Sequence, residues 1–338
     1  MMSSYKAAAV IASPYLFDLK RTVEKSCDLI DEAAANGAKL VAFPETFLPN
    51  YPWWIWLAVD NVKKGQLFKR LYDESVDLDD PVFQQICHKA KEHGVFVVIG
   101  INERAHGTLY NSQVFIDETG EIVRCRRKLI PTGEERTVWG RGDGSDLTVL
   151  DTSLGRIGAL ICYENIMPQA RYTLYSMHEQ VHIANWPGNE MKSQPRDRTE
   201  IIKLTSRFAA LEGQMYVIAS SSYFSEEEVS FYRDLDPNLG ATLTPGGGVA
   251  AIYSPFGQVL AEIVGEEGIA YADIDLEKIV DAKHILDTVG HYARPDIHQV
   301  LFDGSSKKPV IPSGLNPITE TSSYATEETQ PDESAKDA

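Results

Sequence analysis

The sequence of 338 residues is poor in cysteine. Its four cysteines form no Cys-x-x-Cys pair, so we expect neither a disulfide scaffold nor a cysteine-rich zinc site. No run approaches the roughly 18 apolar residues of a membrane-spanning helix, and the N-terminal segment lacks the basic residues of a signal peptide. These absences predict a cytoplasmic protein that has no membrane partner.

Basic residues are scarce relative to acidic ones. Lys and Arg number 32 and Asp and Glu 49, which gives a formal net charge of −17. Because nucleic acids and anionic membranes attract basic surfaces, neither is an expected partner. A hydrophobic fraction of 43% excludes a disordered chain, but residues 312–338 are polar and acidic and are predicted to be a disordered tail. No linker is evident earlier, which favours one domain over 1–311.

Hydrophobic periodicity indicates an α/β protein. Short continuous apolar runs predict buried strands at 5–12, 39–43, 95–101, 156–161, 181–186 and 215–220. Apolar spacings of three and four predict helices at 21–36, 81–93, 198–211 and 276–286, with one more beginning near Pro168. Hairpin patterns fill 109–130 and 248–275. Parallel β-α-β units mixed with hairpins imply a mixed sheet, or two sheets, with helices outside.

Four reactive side chains follow predicted strands, which is where α/β proteins place functional groups. They are Glu45, Lys128, Glu135 and Cys162. Cys162 is the natural nucleophile because a strand–turn–helix elbow can aim a side chain and offer free backbone N–H groups. A thiol reacts well only beside a base or a cation. From spacing alone, a buried structural thiol and a solvated surface lysine remain open as alternatives.

A competing motif spans residues 178–182, which read His-Glu-Gln-Val-His. Zinc metalloproteases need both histidines of H-E-x-x-H one turn apart on a continuous helix. Here His182 begins the predicted strand VHIANW, so the helix ends between His178 and His182. We therefore expect no metal site.

Aromatic residues near the reactive groups have two interpretations. The cluster of Trp53, Trp54 and Trp56, soon after Glu45, fits either core packing or an apolar wall of a substrate pocket. Trp186, at the end of a strand, has the same two interpretations. Tyr163 stands beside Cys162, a position that favours the pocket.

Several stretches taken together resemble the nitrilase branch of the carbon–nitrogen hydrolase superfamily. They read LVAFPETFLPNYP, RRKLIPTGEERTVWGRGDG, GALICYENIMP, EQVHIANWPG and GHYARPD, in order along nearly the whole chain. The resemblance implies that Glu45 is the general base, Lys128 the stabilising cation and Cys162 the nucleophile. Glu135, rather than its neighbour Glu134, matches a second glutamate that positions the lysine and the substrate.

The same resemblance implies an α/β fold, a four-layer α-β-β-α sandwich with mixed sheets. It also implies a homodimer that assembles into larger or spiral homo-oligomers. The implied reaction is hydrolysis of an organic nitrile to the carboxylic acid and ammonia, through a thioimidate and a thioester on Cys162, with water and without a cofactor. An amidase and a cyanide or nitrile hydratase would share the fold. A non-catalytic assembly protein is the alternative of a different class.

The resemblance also bears on substrate binding, for which Tyr51, Trp53, Tyr163 and Trp186 are the candidates. The chain has Gly133 where similar nitrilases often have His, and Asn-Tyr-Pro at 50–52 where Gly-Tyr-Pro is common. Both departures border the implied pocket. The choice among aliphatic, arylaliphatic and aromatic nitriles therefore stays open.

Overall fold

The computed structural model describes residues 4–188, 190–191, 197–240, 242–308 and 310. The chain divides into a large unit, residues 1–305, and a short unit, residues 306–338. All the helices and strands given below belong to the large unit. The predicted tail at 312–338 lies outside the described residues, so its disorder stays a prediction.

Helices and strands alternate along the large unit. The helices are α1 Leu19–Ala35, α2 Asn61–Asp73, α3 Gln84–His93, α4 Pro168–Ser176, α5 Arg198–Gly213, α6 Glu226–Leu235, α7 Pro237–Gly240 and α8 Glu277–Ile285. The strands are β1 Ser4–Ile11, β2 Ala38–Ala42, β3 Phe96–Ala105, β4 Thr108–Ile116, β5 Ile122–Arg127, β6 Trp139–Gly140, β7 Val149–Thr152, β8 Gly155–Ile161, β9 Val181–Trp186, β10 Glu190–Met191, β11 Tyr216–Ser221, β12 Leu243–Thr244, β13 Val249–Tyr253, β14 Val259–Val264 and β15 Gly268–Asp275.

Local chemistry explains where the early helices begin and end. The Asp18 carboxylate accepts the Arg21 N–H and caps α1, whose buried face carries Val23, Cys27 and Ile30. Helix α3 ends at Gly94, whose φ of 58° lies in the left-handed region. Glycine adopts that conformation without a Cβ clash.

Two mixed sheets form the centre of the unit. The first sheet has the order β15-β1-β2-β3-β4-β5, with β6 beside β4, and the second has the order β14-β13-β11-β9-β8-β7. Strands β1, β2 and β3 are parallel in the first sheet, as are β8, β9 and β11 in the second, while the hairpin strands pair antiparallel. Strands β10 and β12 form a separate pair.

Buried apolar side chains define the layers. One cluster joins the first sheet to α1 and α3, and a second fills the space between the two sheets, where Ala9, Phe96 and Ile183 are completely buried. Further clusters join the second sheet to α4 and α5. The expected α-β-β-α sandwich with mixed sheets is therefore confirmed.

Three features differ from the sequence interpretation. Helix α3 begins at Gln84 rather than at Pro81, because the Asp80 carboxylate accepts the Val82 N–H and holds a turn there. Helix α2 was not expected, since only Leu67 and Leu71 of its residues are buried. Helix α6 was also not expected.

No helix in the described part of the chain combines the length and the apolar character that crossing a bilayer requires.

Candidate active site

Glu45 lies just beyond the end of β2, where the two sheets meet. Its N–H donates to the carbonyl oxygen of Trp186, at the end of β9, over 3.3 Å. The segment around Glu45 lies directly against Gly100 of β3, whose N–H donates to Pro44 O. A Cβ at Gly100 would overlap Pro44 O and come within 2.5 Å of Thr46 N, so this close approach requires glycine.

Lys128 follows β5 and is completely enclosed. Its Nζ lies 2.8 Å from Glu45 Oε1 and 2.7 Å from Glu135 Oε2. The second donor to Glu45 Oε1 is Asn111 Nδ2, at 2.6 Å. Glu45 Oε2 is buried and has no hydrogen-bond partner among the described residues. One carboxylate oxygen is thus held in place while the other is available to accept a proton.

Glu135 is held by three donors from different parts of the chain. The Tyr51 hydroxyl donates to Oε1 over 2.7 Å, while the Thr132 N–H and Lys128 Nζ each reach Oε2 over 2.7 Å. Glu135 is buried, whereas Glu134 points to solvent. The structure therefore brings Glu135, not Glu134, into contact with Lys128.

Cys162 begins a short 3₁₀ turn immediately after β8. Its φ of 53° is left-handed, which is unusual for a residue other than glycine, and such strain persists only where the surroundings fix it. The Asn165 amide donates to the carbonyl oxygens of Cys162, over 2.9 Å, and Leu160, over 3.1 Å. The Asn165 side chain therefore fixes the backbone of Cys162.

The four side chains influence one another electrostatically. Burial raises the pKa of the Cys162 thiol, Glu45 raises it further, and Lys128 opposes both. Burial likewise raises the pKa of Glu45 to about 7, against the effect of Lys128. The pKa of Lys128 lies well above its usual value, because Glu135 and Glu45 outweigh the burial that would lower it. The raised pKa favours the protonated thiol, and the Glu45 carboxylate lies close enough to influence it electrostatically.

A small cavity of about 80 Å³ opens onto Cys162 and Glu135. Its wall includes three of the predicted substrate-binding residues, Tyr51, Trp53 and Tyr163, and also Trp56, Thr132 and Arg198. Trp186 stands behind this wall, edge-to-face with Tyr163 at 6.2 Å between ring centroids. Three of the four candidates therefore face the cavity directly, and Trp186 supports one of them.

The histidines of the H-E-x-x-H segment do not share a helix. Helix α4 ends before His178, which has a φ of 58°, and His182 lies on β9. His182 bonds instead to Glu179 Oε1 over 2.7 Å and to Asn165 Oδ1 over 2.8 Å. Within the described ranges, no group of three or more His, Cys, Asp or Glu side chains is arranged to hold a metal ion.

Three residues of the site were not identified from the sequence: Asn111, Thr132 and Arg198. Asn111 lies inside a predicted strand, and only the pairing of β4 reveals its contact with Glu45. Arg198 is the first residue of α5, and its guanidinium carbon lies 5.2 Å from the centre of the Trp53 ring. Trp56 donates its ring N–H to the Tyr51 hydroxyl over 3.2 Å. Trp56 belongs to the tryptophan cluster that the sequence offered as a possible pocket wall, whereas no local pattern marks Arg198.

The fold and this cluster define an α-β-β-α sandwich protein with a buried thiol–carboxylate–ammonium site. The carbon–nitrogen hydrolase family model matches residues 6–284. The chain is 42% identical over 312 residues to an aliphatic nitrilase from Rhodococcus rhodochrous, covering 91% of this chain and 85% of that protein. It is 39% identical over 318 residues to an arylacetonitrilase from Aspergillus niger, covering 92% and 95% respectively.

The fold is also similar to a solved structure. The carbon–nitrogen hydrolase from Helicobacter pylori superposes with a TM-score of 0.68 at 19% identity, covering 88% of this chain and 97% of that one. The chain belongs to the carbon–nitrogen hydrolase family.

Proposed function

We propose that this chain is a nitrilase, a hydrolase that converts an organic nitrile and two waters into the carboxylic acid and ammonia. The observation that carries the proposal is the enclosed cluster in which Lys128 joins Glu45 to Glu135 beside the Cys162 thiol. The relatives at 42% and 39% identity, named as an aliphatic nitrilase and an arylacetonitrilase, support it.

In the first half of the proposed reaction, the Cys162 sulfur forms a bond to the nitrile carbon. The thiol proton passes to Glu45, whose Oε2 is available, and then to the nitrile nitrogen, which leaves a thioimidate. Since the pKa of the thiol is raised by burial, it needs this base at the moment of attack. A base whose pKa lies near 7 is matched to a reaction at neutral pH.

In the second half, Glu45 takes a proton from a water that adds to the thioimidate carbon. The tetrahedral intermediate expels ammonia once its nitrogen is protonated, and a thioester remains. A second water, deprotonated by Glu45, attacks the thioester carbon. The carboxylic acid is released, and Glu45 returns the proton to the sulfur. Covalent catalysis thus divides one difficult hydration into easier steps.

Lys128 supplies the fixed positive charge in this mechanism. Negative charge develops on the substrate nitrogen and oxygen during each addition, and a preoriented ammonium in a dry site stabilises it strongly. Glu135 also holds the ammonium, with Oε2 lying 2.7 Å from Lys128 Nζ. Tyr51 connects this carboxylate to the cavity wall, which couples the position of the lysine to the substrate.

A substrate panel tests the reaction type. Purified protein is incubated separately with aliphatic, arylaliphatic and aromatic nitriles, with their amides and with cyanide, and ammonia, acid and amide are quantified. A nitrilase releases equal amounts of acid and ammonia from at least one organic nitrile. Acid from amides alone identifies an amidase, and amide as the main nitrile product, or formamide from cyanide, identifies a hydratase. Either outcome contradicts the nitrilase proposal.

We also propose that the chain forms a homodimer through the outer face of α5, the basis for the larger or spiral assemblies that the resemblance implies. Leu204, Phe208 and Leu211 follow a helical spacing there and are 72%, 51% and 47% exposed. Such a row of apolar side chains is typical of an interface. Sedimentation of wild type and of Phe208→Glu tests this, since a monomeric wild type would exclude the dimer.

A cytoplasmic location is proposed as well. All four cysteines are free thiols in the structure, which suits a reducing compartment. Fractionation of the native host cells tests it.

A further inference from the structure

A second buried ion pair lies beside the catalytic cluster and takes no part in the proposed chemistry. Arg126 and Glu164 are 1% and 2% exposed. Arg126 Nη1 and Nη2 reach Glu164 Oε2 over 2.9 and 3.0 Å, and Nη2 also lies 3.2 Å from Oε1. Arg126 stands two residues before Lys128, and Glu164 stands two residues after Cys162.

The Glu164 carboxylate also accepts two backbone N–H groups. Oε2 accepts the N–H of Ile161, the residue before the nucleophile, over 2.7 Å. Oε1 accepts the N–H of Leu129, the residue after Lys128, over 2.5 Å. One carboxylate therefore connects the segment that carries the thiol, on the second sheet, to the segment that carries the ammonium, on the first.

Arg126 is fixed in turn by the neighbouring strand β4 and by the short 3₁₀ turn at Gly144–Asp146. Its Nε donates to Asp146 O over 3.0 Å, and its Nη1 also donates to Gln113 Oε1 over 2.8 Å. A guanidinium presents its donors in a rigid planar fork, so these bonds fix the orientation of the carboxylate that it holds.

We propose that Glu164 is a positioning residue which, held by Arg126, fixes the separation between the Cys162 sulfur and the Lys128 ammonium. Neither member contacts the reacting atoms in the proposed mechanism. Their contribution is the relative placement of two catalytic segments that belong to different sheets. The left-handed backbone at Cys162 is one conformation that this contact stabilises.

The substitution Glu164→Gln distinguishes a positioning role of the carboxylate from a role in which the side chain only fills space. Glutamine has nearly the same shape, but its amide presents one acceptor oxygen and one NH₂ donor. Whichever way the amide turns, one of the two backbone N–H groups faces a donor, and Arg126 loses its counter-charge. We expect kcat to fall roughly 100-fold, because a misplacement of about 1 Å can cost that much. KM should change less than the rate, because Glu164 is not among the residues that line the cavity.

A matched control lies one residue further along the same strand. Arg127 forms a similar paired contact with Glu103, over 2.5 and 2.9 Å, and Glu103 is also buried. Besides Arg127, Glu103 accepts a hydrogen bond from Ser112 and contacts the Cys125 sulfur. The substitution Glu103→Gln therefore removes a charge pair on the same strand without removing a bond to a backbone N–H of either catalytic segment, and kcat should stay near the wild-type value.

The proposal rests on the proposed function, so a second readout is independent of nitrile turnover. The rate at which iodoacetamide alkylates Cys162, followed by mass spectrometry of its peptide across pH, reports how well the thiol is placed beside its base and cation. We expect slower alkylation and an altered pH profile in Glu164→Gln but not in Glu103→Gln. If wild type hydrolyses no nitrile, the proposed function fails while this measurement still tests the positioning role.

Each outcome decides the proposal. Slower alkylation of Cys162 in Glu164→Gln, with a wild-type rate in Glu103→Gln, supports it, and loss of kcat at near-constant KM should accompany this result in an active enzyme. Unchanged alkylation in Glu164→Gln, or an equal loss in both variants, overturns it. If Glu164→Gln does not fold, Arg126→Lys is used, since it keeps the positive charge but loses the planar fork. Both the alkylation rate of Cys162 and kcat must then fall in Arg126→Lys for the proposal to stand, by a smaller factor than the one expected for Glu164→Gln.

Discussion

Between the two sheets, Ala9, Phe96 and Ile183 belong to a cluster of buried apolar side chains, whereas just beyond the ends of β5 and β8 the interior holds Lys128 and Cys162. The residues of both regions are buried, but they meet different requirements. The apolar layer needs only volume and patterning, which many residue combinations provide. The polar end needs particular functional groups in a particular geometry, since each buried charge is costly unless it is paired.

Two of the residues at the polar end have left-handed backbone. Thr46, the residue after Glu45, has a φ of 41°, and Cys162 itself has a φ of 53°. Strain of this kind collects at functional sites, where the surrounding contacts outweigh it. The comparison predicts that substitutions at the polar end chiefly affect turnover, while substitutions in the apolar layer chiefly affect stability. The five predictions below test this, from the largest expected effect on turnover to the smallest.

Cys162→Ala should abolish nitrile hydrolysis. Removal of a nucleophile of this type lowers kcat by up to roughly 10⁶-fold, and the change removes a single sulfur atom. The measurement is ammonia release at high enzyme concentration, together with the thermal unfolding midpoint. Cys87→Ala, which removes an equally buried thiol from the α3 layer, is the control and should keep full turnover. Full ammonia release by Cys162→Ala would instead favour a non-catalytic role for this cysteine.

Glu45→Gln should lower kcat by roughly 10²–10⁴-fold, the usual contribution of a general base. Glutamine can still accept the hydrogen bonds of Lys128 and Asn111 through one oxygen, so the fold should persist. Single-turnover acid release measures the effect. A variant that retains more than a tenth of the wild-type rate would exclude Glu45 as the base.

Glu135→Gln should lower kcat by a smaller factor than Glu45→Gln, because Glu135 orients Lys128 and receives no proton from the substrate in the proposed mechanism. Glu134→Gln is the matched control, since Glu134 is adjacent in sequence but exposed. Steady-state kinetics of the two variants measures the contrast. Equal losses would contradict the distinction between these neighbours.

Turnover of wild type should fall by roughly tenfold for each pH unit below about 7, since only the ionised form of Glu45 can accept a proton. Burial raises the pKa of this carboxyl, so its active form is lost at a higher pH than for an exposed glutamate. The pH profile of kcat/KM measures this effect. A plateau extending to pH 5 would indicate that Glu45 titrates near its ordinary value.

Ile183→Ala should leave kcat within about twofold of wild type while lowering the free energy of unfolding by about 2–5 kcal/mol, the range for emptying a buried aliphatic site. Ile183 is completely buried between the sheets. Denaturant unfolding and steady-state kinetics, measured on the same sample, test both parts. A large fall in kcat without loss of stability would mean that the apolar layer also positions the catalytic groups.

Several features of the fold could be predicted from local signals. The buried strands and the helix at α1 follow from hydrophobic runs and from spacings of three and four. Helix α6 carries a local signal in the sequence: Ser225 and Glu228 form a capping box, in which each side chain accepts the other's backbone N–H. Helix α2 buries so little apolar surface that its periodicity is weak, which explains why the sequence alone did not reveal it.

The candidate site, like the fold, could be predicted from the sequence only in part. The residues around Glu45, Lys128 and Cys162 form compact motifs, so the resemblance identified them without coordinates. The cavity wall could be predicted only in part, since Trp186 faces Tyr163 rather than the opening and Arg198 carries no local signature. The contact of Glu164 with Leu129 joins residues 35 positions apart, and no short pattern predicts it.

The sequence by itself determined the family and the sandwich architecture and named the candidate reactive groups, because hydrophobic period and motif are properties of neighbouring residues. Only the tertiary structure decided which oxygen of Glu45 remains available, how Glu135 contacts Lys128 while Glu134 faces solvent, and how the Glu164 carboxylate connects the Cys162 segment to the Lys128 segment. Those features depend on distances between residues far apart in the chain, and the packing of one sheet against the other sets these distances.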